Sequence, residues 1–211
     1  MEDVFAIIGK AALMPVIVVE RVEDAIPLAE ALIAGGLPVA EVTFRTEAAA
    51  KVIEAMAKVP GLFLGAGTVL KPEQVDQALD LGARFILAPG FNPKVAARAL
   101  EKKLPFVPGV CTASEIGLAM EMGFAVQKFF PAEPMGGTAY LKAVSAPFRS
   151  VRFVPTGSIG LEQLPSYLEL PFVLAVGGSW MVAPKLIQEK KFDEITRLTR
   201  AAVDAVKKVR G

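Results

Sequence analysis

The sequence has no histidine and only one cysteine, Cys111. Without an imidazole, neither a Ser-His-Asp triad nor a Cys-His pair can form, and the histidine and cysteine ligands that usually hold zinc are missing. A single cysteine also excludes a disulfide within the chain. General acid and base catalysis must therefore come from carboxylates, lysine or tyrosine. We expect no metal, no cofactor and no catalytic thiol, and we expect Cys111 to be a small buried side chain.

An excess of charge and a long hydrophobic run are also missing. The 23 lysines and arginines and the 22 acids are scattered along the chain, so the basic surface typical of nucleic-acid binding is not expected. The longest uncharged stretch, PFVLAVGGSWMVAP from Pro171, is too short to span a bilayer, and the chain opens with MED rather than a basic targeting segment. We therefore expect a soluble, cytoplasmic protein that binds neither nucleic acid nor membrane.

Apolar residues are abundant and recur in a regular order. They make up 53% of the 211 residues, enough for one domain that spans residues 1–211. Eight apolar runs are rich in strand-forming residues, and amphipathic segments with helical spacing lie between them. These runs begin at Pro15, Pro38, Leu62, Ala83, Leu104, Phe124, Val151 and Pro171. The pattern predicts eight strands and eight helices.

Strands that are apolar on both faces and alternate with helices are typical of a parallel sheet covered on both sides. Eight such units predict a (β/α)₈ barrel. An open doubly wound sheet is the alternative, but no G-x-G-x-x-G follows the first strand and the polar residues are spread over the ends of many strands. The first segment, MEDVFAIIGKAAL, is predicted to be a short extra helix at the amino-terminal end of the barrel.

Charged side chains interrupt two of the predicted strands. Lys128 lies within the apolar run FAVQKFF, and Glu41, Thr43 and Arg45 alternate along the second strand, so they share one face. Barrel active sites lie at the carboxyl ends of the strands, and Pro89, which ends the fourth strand, is a predicted substrate ligand there. The pattern therefore predicts an interior site with a carboxylate, a guanidinium and an amine. A purely structural ion pair between Glu41 and either Lys128 or Arg45 is the alternative.

Two glycine-rich turns follow the seventh and eighth strands. Their backbone N–H groups could face an anion, and barrels commonly bind phosphate between these two loops. The alternative is that the glycines only permit tight turns. The predicted phosphate-binding residues are Gly157, Ser158, Gly177, Gly178 and Ser179, with Thr156 beside them as a substrate ligand.

Lys128 is the natural nucleophile of such a site. A neutral amine attacks a ketone to form a carbinolamine and then a protonated imine, which accepts electrons from a carbon–carbon bond that breaks. Proton transfer needs a base, for which Glu41 is the best candidate, while Glu20 and Glu133 are weaker ones. Arg45, assisted by the Thr68 hydroxyl, suits the carboxylate of an α-keto acid.

Five short motifs carry a resemblance to a known family. They are EVTFRT at Glu41, GAGTV at Thr68, KFFPAE at Lys128, PTGSI at Thr156 and GGSW at Ser179, in order over nearly the whole chain. Together they resemble the 2-keto-3-deoxy-6-phosphogluconate (KDPG) aldolases, also called 4-hydroxy-2-oxoglutarate (KHG) aldolases. The resemblance implies a class I aldolase that splits KDPG into pyruvate and glyceraldehyde 3-phosphate in the Entner–Doudoroff route, as a homotrimer of barrels.

The resemblance also assigns roles to residues. It implies that Lys128 forms the Schiff base, that Glu41 is the general acid and base, and that Phe130 packs beside the imine. Pyruvate-carboxylate binding falls on Arg45 and Thr68, and substrate hydroxyl and phosphate binding falls on Thr156, Gly157, Gly177, Gly178 and Ser179. Where the family often has a second glycine this chain has Ser158, which leaves the substrate preference open.

Three alternatives remain at this point. Two change the substrate, to 4-hydroxy-2-oxoglutarate or to 2-keto-3-deoxy-6-phosphogalactonate. The third is a sugar-phosphate binding barrel without catalysis, because one fold hosts many functions. Tyr140 and Tyr167, on helical segments, are expected to be surface or interface residues.

Overall fold

The computed structural model describes residues 3–211 as an α/β fold. Its strands are β1 (Leu13–Ile17), β2 (Val39–Thr43), β3 (Phe63–Gly67), β4 (Phe85–Leu87), β5 (Phe106–Val107), β6 (Gly109–Val110), β7 (Val126–Phe129), β8 (Arg152–Phe153) and β9 (Val176–Gly178). Its helices are α1 (Val4–Ala11), α2 (Ala25–Ala34), α3 (Ala49–Ala57), α4 (Pro72–Asp80), α5 (Pro93–Lys102), α6 (Ala113–Glu121), α7 (Gly137–Ser145), α8 (Leu164–Leu168), α9 (Pro184–Gln188) and α10 (Phe192–Arg210).

Each of the eight predicted runs contains a strand, but both predicted counts are wrong. The run from Leu104 holds two strands, since Pro108 has no N–H to donate and separates β5 from β6. The sequence predicts eight helices besides the short extra one at the start, whereas residues 3–211 contain ten α-helices in all. Two of them, α8 and α9, have five residues each and are too short to show helical periodicity in a sequence.

All named strand pairings are parallel, which places the carboxyl ends of paired strands at one edge. One sheet has six strands in the order β5-β4-β3-β2-β1-β9, and the other has three in the order β6-β7-β8. Bridges from Phe153 to Val173 and from Thr156 to Gly177 link the chain at β8 to the chain at β9. The architecture is therefore a parallel α/β fold with the sheet order expected of successive β/α units.

The buried residues form two clusters. The larger one combines buried strand residues such as Val42 with buried helix residues such as Leu28 and Val52. The smaller one comprises Ile8, Met14, Val39, Phe85, Leu87, Val107, Val126, Val154, Leu174 and Ala175. Ile8 is its single member from a helix among the described residues, so α1 covers the end of the strands where this cluster lies.

The short helix predicted at the start of the chain is confirmed as α1, which the Asp3 carboxylate caps by accepting a hydrogen bond from Phe5 N–H at 3.0 Å. Met1 and Glu2, which the prediction included, lie outside the described residues. Between residues 3 and 211, no helix has both the length and the apolar composition needed to cross a bilayer.

Candidate active site

Lys128 and Glu41 meet in the interior of the fold. Lys128 Nζ lies 3.1 Å from Glu41 Oε1 and 3.3 Å from Oε2, although the residues are 87 positions apart in sequence. The lysine is 2% exposed and the glutamate 1%. Lys128 lies on β7 and Glu41 on β2, so the two charges predicted on separate strands are neighbours in the structure.

Gly67 makes room for the Glu41 carboxylate. The residue ends β3, and its partner on β2 is Thr43. A Cβ at position 67 would overlap Glu41 Oε1 and lie 2.6 Å from its Cδ, so any side chain there would displace the carboxylate. Sequence reasoning gave Gly67 no role. The available signal was a glycine inside a strand, which often marks a close approach of another group.

The predicted pyruvate-carboxylate ligands are also together. Arg45 Nε donates a hydrogen bond to Thr68 Oγ1 at 3.1 Å. Arg45 is exposed just beyond β2, and Thr68 follows β3 with a left-handed φ of 58°. Phe130 lies nearer the amine, with its ring centroid 5.7 Å from Lys128 Nζ, within the range of a cation–π contact.

A cavity of about 410 Å³ opens beside these groups, within the size range of small-molecule sites. Its wall consists of Val16, Val18, Arg45, Phe130, Pro131, Thr156, Gly157, Ser158, Ile159, Gly177, Gly178, Ser179 and Pro184. The wall thus includes both glycine-rich turns and eight of the predicted site residues. Lys128, Glu41 and Thr68 are not part of the wall, but Phe130, which contacts Lys128, and Arg45, which contacts Thr68, are.

Pro89 is predicted as a substrate ligand but is not on the cavity wall. It is half-buried, and its backbone carbonyl lies so close to Gly109 that a Cβ on that glycine would overlap it. Pro89 therefore packs against the strand that pairs with β7, where Gly109 is the register partner of Lys128.

Backbone geometry explains the residue types of the two turns. Gly157 has φ 115°, and a Cβ on Gly177 would overlap the Thr156 side chain. Ser158 has φ 59°, a left-handed conformation that costs a residue with a Cβ about 1–2 kcal/mol. The serine at this position is therefore strained where a glycine would not be.

The weaker candidate bases have other partners. Glu20 is exposed and accepts a hydrogen bond from Gln188 Nε2 at 3.3 Å. Glu133 is half-buried and accepts a short hydrogen bond from the Tyr167 hydroxyl. Tyr167 is fully buried, so the expectation of a surface or interface residue is wrong. Its burial and the adjacent Glu133 carboxylate raise the pKa of the Tyr167 hydroxyl above its usual value.

Two further expectations concern polar side chains near β6. Tyr140 is half-buried and donates a hydrogen bond from its hydroxyl to Cys111 O at 2.9 Å. Cys111 is half-buried rather than buried, and its burial and the neighbouring Glu115 raise the pKa of its thiol. Across residues 3–211, no three His, Cys, Asp or Glu side chains are grouped as metal ligands.

Comparison with known proteins identifies the family of the chain. The family model for KDPG and KHG aldolases matches residues 4–198. The chain is 47% identical over 207 residues to the 2-dehydro-3-deoxy-phosphogluconate aldolase of Treponema pallidum (strain Nichols). The matched region covers 98% of this chain and 99% of that protein.

Two solved structures are similar. One is the 2-keto-3-deoxy-6-phosphogluconate aldolase of Zymomonas mobilis ZM4 with 3-phosphoglycerate, with a TM-score of 0.90, 43% identity and 96% of each chain covered. The other is the KDPG aldolase from Legionella pneumophila with pyruvate captured at low pH as a covalent carbinolamine intermediate. Its TM-score is 0.91 at 41% identity, covering 94% of this chain and 97% of that one. The chain described above therefore belongs to the family of KDPG and KHG aldolases.

Proposed function

We propose that this protein is a class I aldolase that cleaves KDPG into pyruvate and glyceraldehyde 3-phosphate, as in the Entner–Doudoroff route. The observation that carries the proposal is the buried amine of Lys128, 3.1 Å from the Glu41 carboxylate and next to a cavity that ends in two glycine-rich turns. Relatives named for this reaction and the pyruvate carbinolamine of the Legionella protein support it.

The first half of the reaction forms the imine. Proton transfer from the Lys128 ammonium to Glu41 yields a neutral amine and a carboxylic acid. The amine attacks the C2 ketone to give a carbinolamine, and Glu41 returns the proton to the departing hydroxyl as water leaves. The low exposure of both groups favours this exchange, because few waters compete for the proton.

The second half breaks the carbon–carbon bond. Glu41, again a carboxylate, accepts the proton of the C4 hydroxyl while the C3–C4 electrons move into the iminium. The aldehyde leaves, and an enamine of pyruvate remains on Lys128. Glu41 returns the proton to C3, and water then hydrolyses the imine to release pyruvate and the free amine. Atoms and charges balance without a metal or a cofactor.

Binding roles follow from the chemistry of the remaining residues. Arg45 and Thr68 bind the pyruvate carboxylate, because a guanidinium and a hydroxyl both donate to it. Phe130 packs beside the imine, and Thr156 binds a substrate hydroxyl. Pro89 supports the site from Gly109, the register partner of Lys128. The phosphate is bound by backbone N–H groups of the two turns and by the serine hydroxyls. The residues are Gly157, Ser158, Gly177, Gly178 and Ser179. The 3-phosphoglycerate in the Zymomonas relative supports a site for a phosphorylated ligand.

Reduction by borohydride in the presence of pyruvate tests the covalent step. The expected result is an added mass on Lys128, found by peptide mass spectrometry, because borohydride reduces the imine to a stable secondary amine. Omitting pyruvate is the control. An unmodified Lys128 would leave the alternative of a binding barrel with a structural ion pair.

The choice of substrate is tested by comparing cleavage rates of KDPG, 4-hydroxy-2-oxoglutarate and 2-keto-3-deoxy-6-phosphogalactonate. KDPG should have a higher kcat/KM than the unphosphorylated 4-hydroxy-2-oxoglutarate, because two turns suited to an anion line the cavity. The name of the Treponema relative supports KDPG over the galactonate analogue, which carries the same phosphate. A preference for the unphosphorylated acid would overturn the phosphate assignment but not the reaction type.

Three further proposals concern the closure of the barrel, the oligomeric state and the cellular location. A closed (β/α)₈ barrel over one domain, residues 1–211, is supported by the bridges between the chain at β8 and β9 and by the succession of β5 and β6 through Pro108. A homotrimer rests on the family resemblance and is tested by light scattering. A cytoplasmic location fits substrates whose phosphate and carboxylate charges keep them from crossing a bilayer.

A further inference from the structure

The hydrogen bond between Tyr167 and Glu133 joins two distant segments beside the cavity. Tyr167 lies on α8, fully buried, and Glu133 follows β7, 34 residues earlier. Since burial and the Glu133 carboxylate raise the pKa of Tyr167, its hydroxyl keeps its proton and remains a donor at neutral pH. Neither residue is part of the cavity wall.

The backbone at Glu133 holds one of the two glycine-rich turns. Glu133 N–H donates to Gly157 O at 3.1 Å, and Ala132 N–H donates to Thr156 O at 2.8 Å. Gly157 is packed so closely that a Cβ there would lie 3.0 Å from Pro131 Cα. The position of residues 156–158, named here the 156–158 loop, is therefore set by residues 131–133.

The chain after this loop returns to Glu133. Gly160 N–H donates to Gln163 Oε1 at 3.1 Å, and Leu164 N–H donates to Gly160 O at 3.1 Å, so the loop leads directly into α8. Tyr167 on α8 then bonds to the Glu133 side chain. Both ends of the segment 157–167 are thus attached to Glu133, one through its backbone and the other through its carboxylate.

We propose that Tyr167 and Glu133 are positioning residues that hold the 156–158 loop in place for the phosphate of the substrate. This inference rests on the proposed function. Backbone N–H groups bind an anion well only when they are fixed in direction, and a misplacement of about 1 Å in an active site can cost a large factor in rate. The pair therefore sets selectivity for phosphorylated keto acids without contacting them.

Tyr167→Phe tests the inference, because it removes the hydroxyl and leaves the ring. KM for KDPG should rise roughly tenfold, because the N–H groups of the 156–158 loop would no longer be held in the direction that phosphate binding needs. The exchange of pyruvate methyl hydrogens with D₂O, followed by NMR, should stay within about twofold, since exchange needs Lys128 and Glu41 but no phosphate. The matched control is Tyr140→Phe, which removes the bond to Cys111 O and should change neither quantity.

Two variants of Glu133 test the same hydrogen bond by changing its acceptor. Glu133→Gln keeps an oxygen for the Tyr167 hydroxyl and should preserve KM for KDPG, whereas Glu133→Ala should raise it as Tyr167→Phe does. This pair decides the question if Tyr167→Phe does not fold. Equal losses in cleavage and exchange, or an unchanged KM, would overturn the inference alone. Wild-type protein that neither cleaves KDPG nor exchanges pyruvate would overturn the proposed function itself.

Discussion

The interior face of two strands, β2 and β7, changes from apolar to charged within two residues. On β2, Val39 belongs to the small apolar cluster that Ile8 covers, while Glu41, two residues later on the same face, is charged. On β7 the same step leads from apolar Val126 to Lys128. One end of the interior therefore contains only packed hydrocarbon, and the other contains an opposite-charge pair next to a cavity.

The apolar end and the charged end are therefore separated along the strand axis by only about 7 Å, the length of two residues in a strand. A buried ion pair contributes little net stability, because removing two charges from water costs about as much as their attraction returns. The apolar end supplies packing that the charged end does not. Changes at the apolar end should therefore affect unfolding and leave activity unchanged, whereas changes at the charged end should affect activity above all.

The largest effect is expected for Lys128→Ala. Turnover of KDPG should fall by at least about 10⁴-fold, because the proposed covalent nucleophile is lost. Removing one partner of a buried pair should also lower the free energy of unfolding by about 3–5 kcal/mol, as urea titration would measure. Lys51→Ala, at an exposed lysine, is the matched control. Residual turnover above one part in a hundred would contradict the assignment.

Gly67→Ala should impair the charged end without removing either charge. The methyl group would overlap the Glu41 carboxylate, so proton transfer should slow by about 10²-fold, while imine trapping with pyruvate persists. Gly90→Ala is the control, because a Cβ there meets nothing within 4 Å.

A double variant tests the same explanation. Glu41→Gln alone should slow turnover by about 10²–10⁴-fold, and adding Gly67→Ala should slow it little further, since both act on one group. Fully additive losses in measured kcat would show that Gly67 acts by some route other than the carboxylate.

Ile8→Ala addresses the apolar end. The free energy of unfolding should fall by about 2–5 kcal/mol, because a fully buried side chain is truncated, while kcat at 25 °C should not change. Ile26→Ala, on a side chain that is 46% exposed, should cost less than about 0.5 kcal/mol. A fall in kcat of the folded Ile8 variant would show that the two ends are coupled.

The smallest effect is expected for Ser158→Gly. Relief of the left-handed backbone should raise the free energy of unfolding by about 0.5–1 kcal/mol, since part of the gain is offset by the freedom of glycine in the unfolded chain. Ser158→Ala retains the strain and removes the hydroxyl, so it separates the two contributions. If the hydroxyl binds phosphate, KM for KDPG should rise equally in both variants.

The charged pair could be predicted from the sequence because each member stands out locally. Lys128 interrupts an apolar run and Glu41 alternates with apolar residues, and parallel strands bring their carboxyl ends together. Gly67 and Tyr167 could not be predicted in the same way. Their roles depend on the strand register and on the path of α8, which no pattern within either segment records.

The secondary structure likewise divides into elements that the local sequence predicts and elements that depend on tertiary contacts. Long amphipathic helices and apolar strands carry enough periodicity to be recognised, and the residues predicted for the two glycine-rich turns lie together on one cavity wall. Helices of five residues, the break at Pro108 and the burial of Tyr167 depend on tertiary contacts instead.

The near-complete burial of the Lys128 amine also makes it chemically selective. A reagent that modifies lysines in solution meets the many exposed amines of this protein first, whereas Lys128 is only 2% exposed. Carbonyl compounds small enough for a space of about 410 Å³ are the ones expected to reach it. The fold should therefore keep bulky aldehydes away from the Lys128 amine while small keto acids gain access to it.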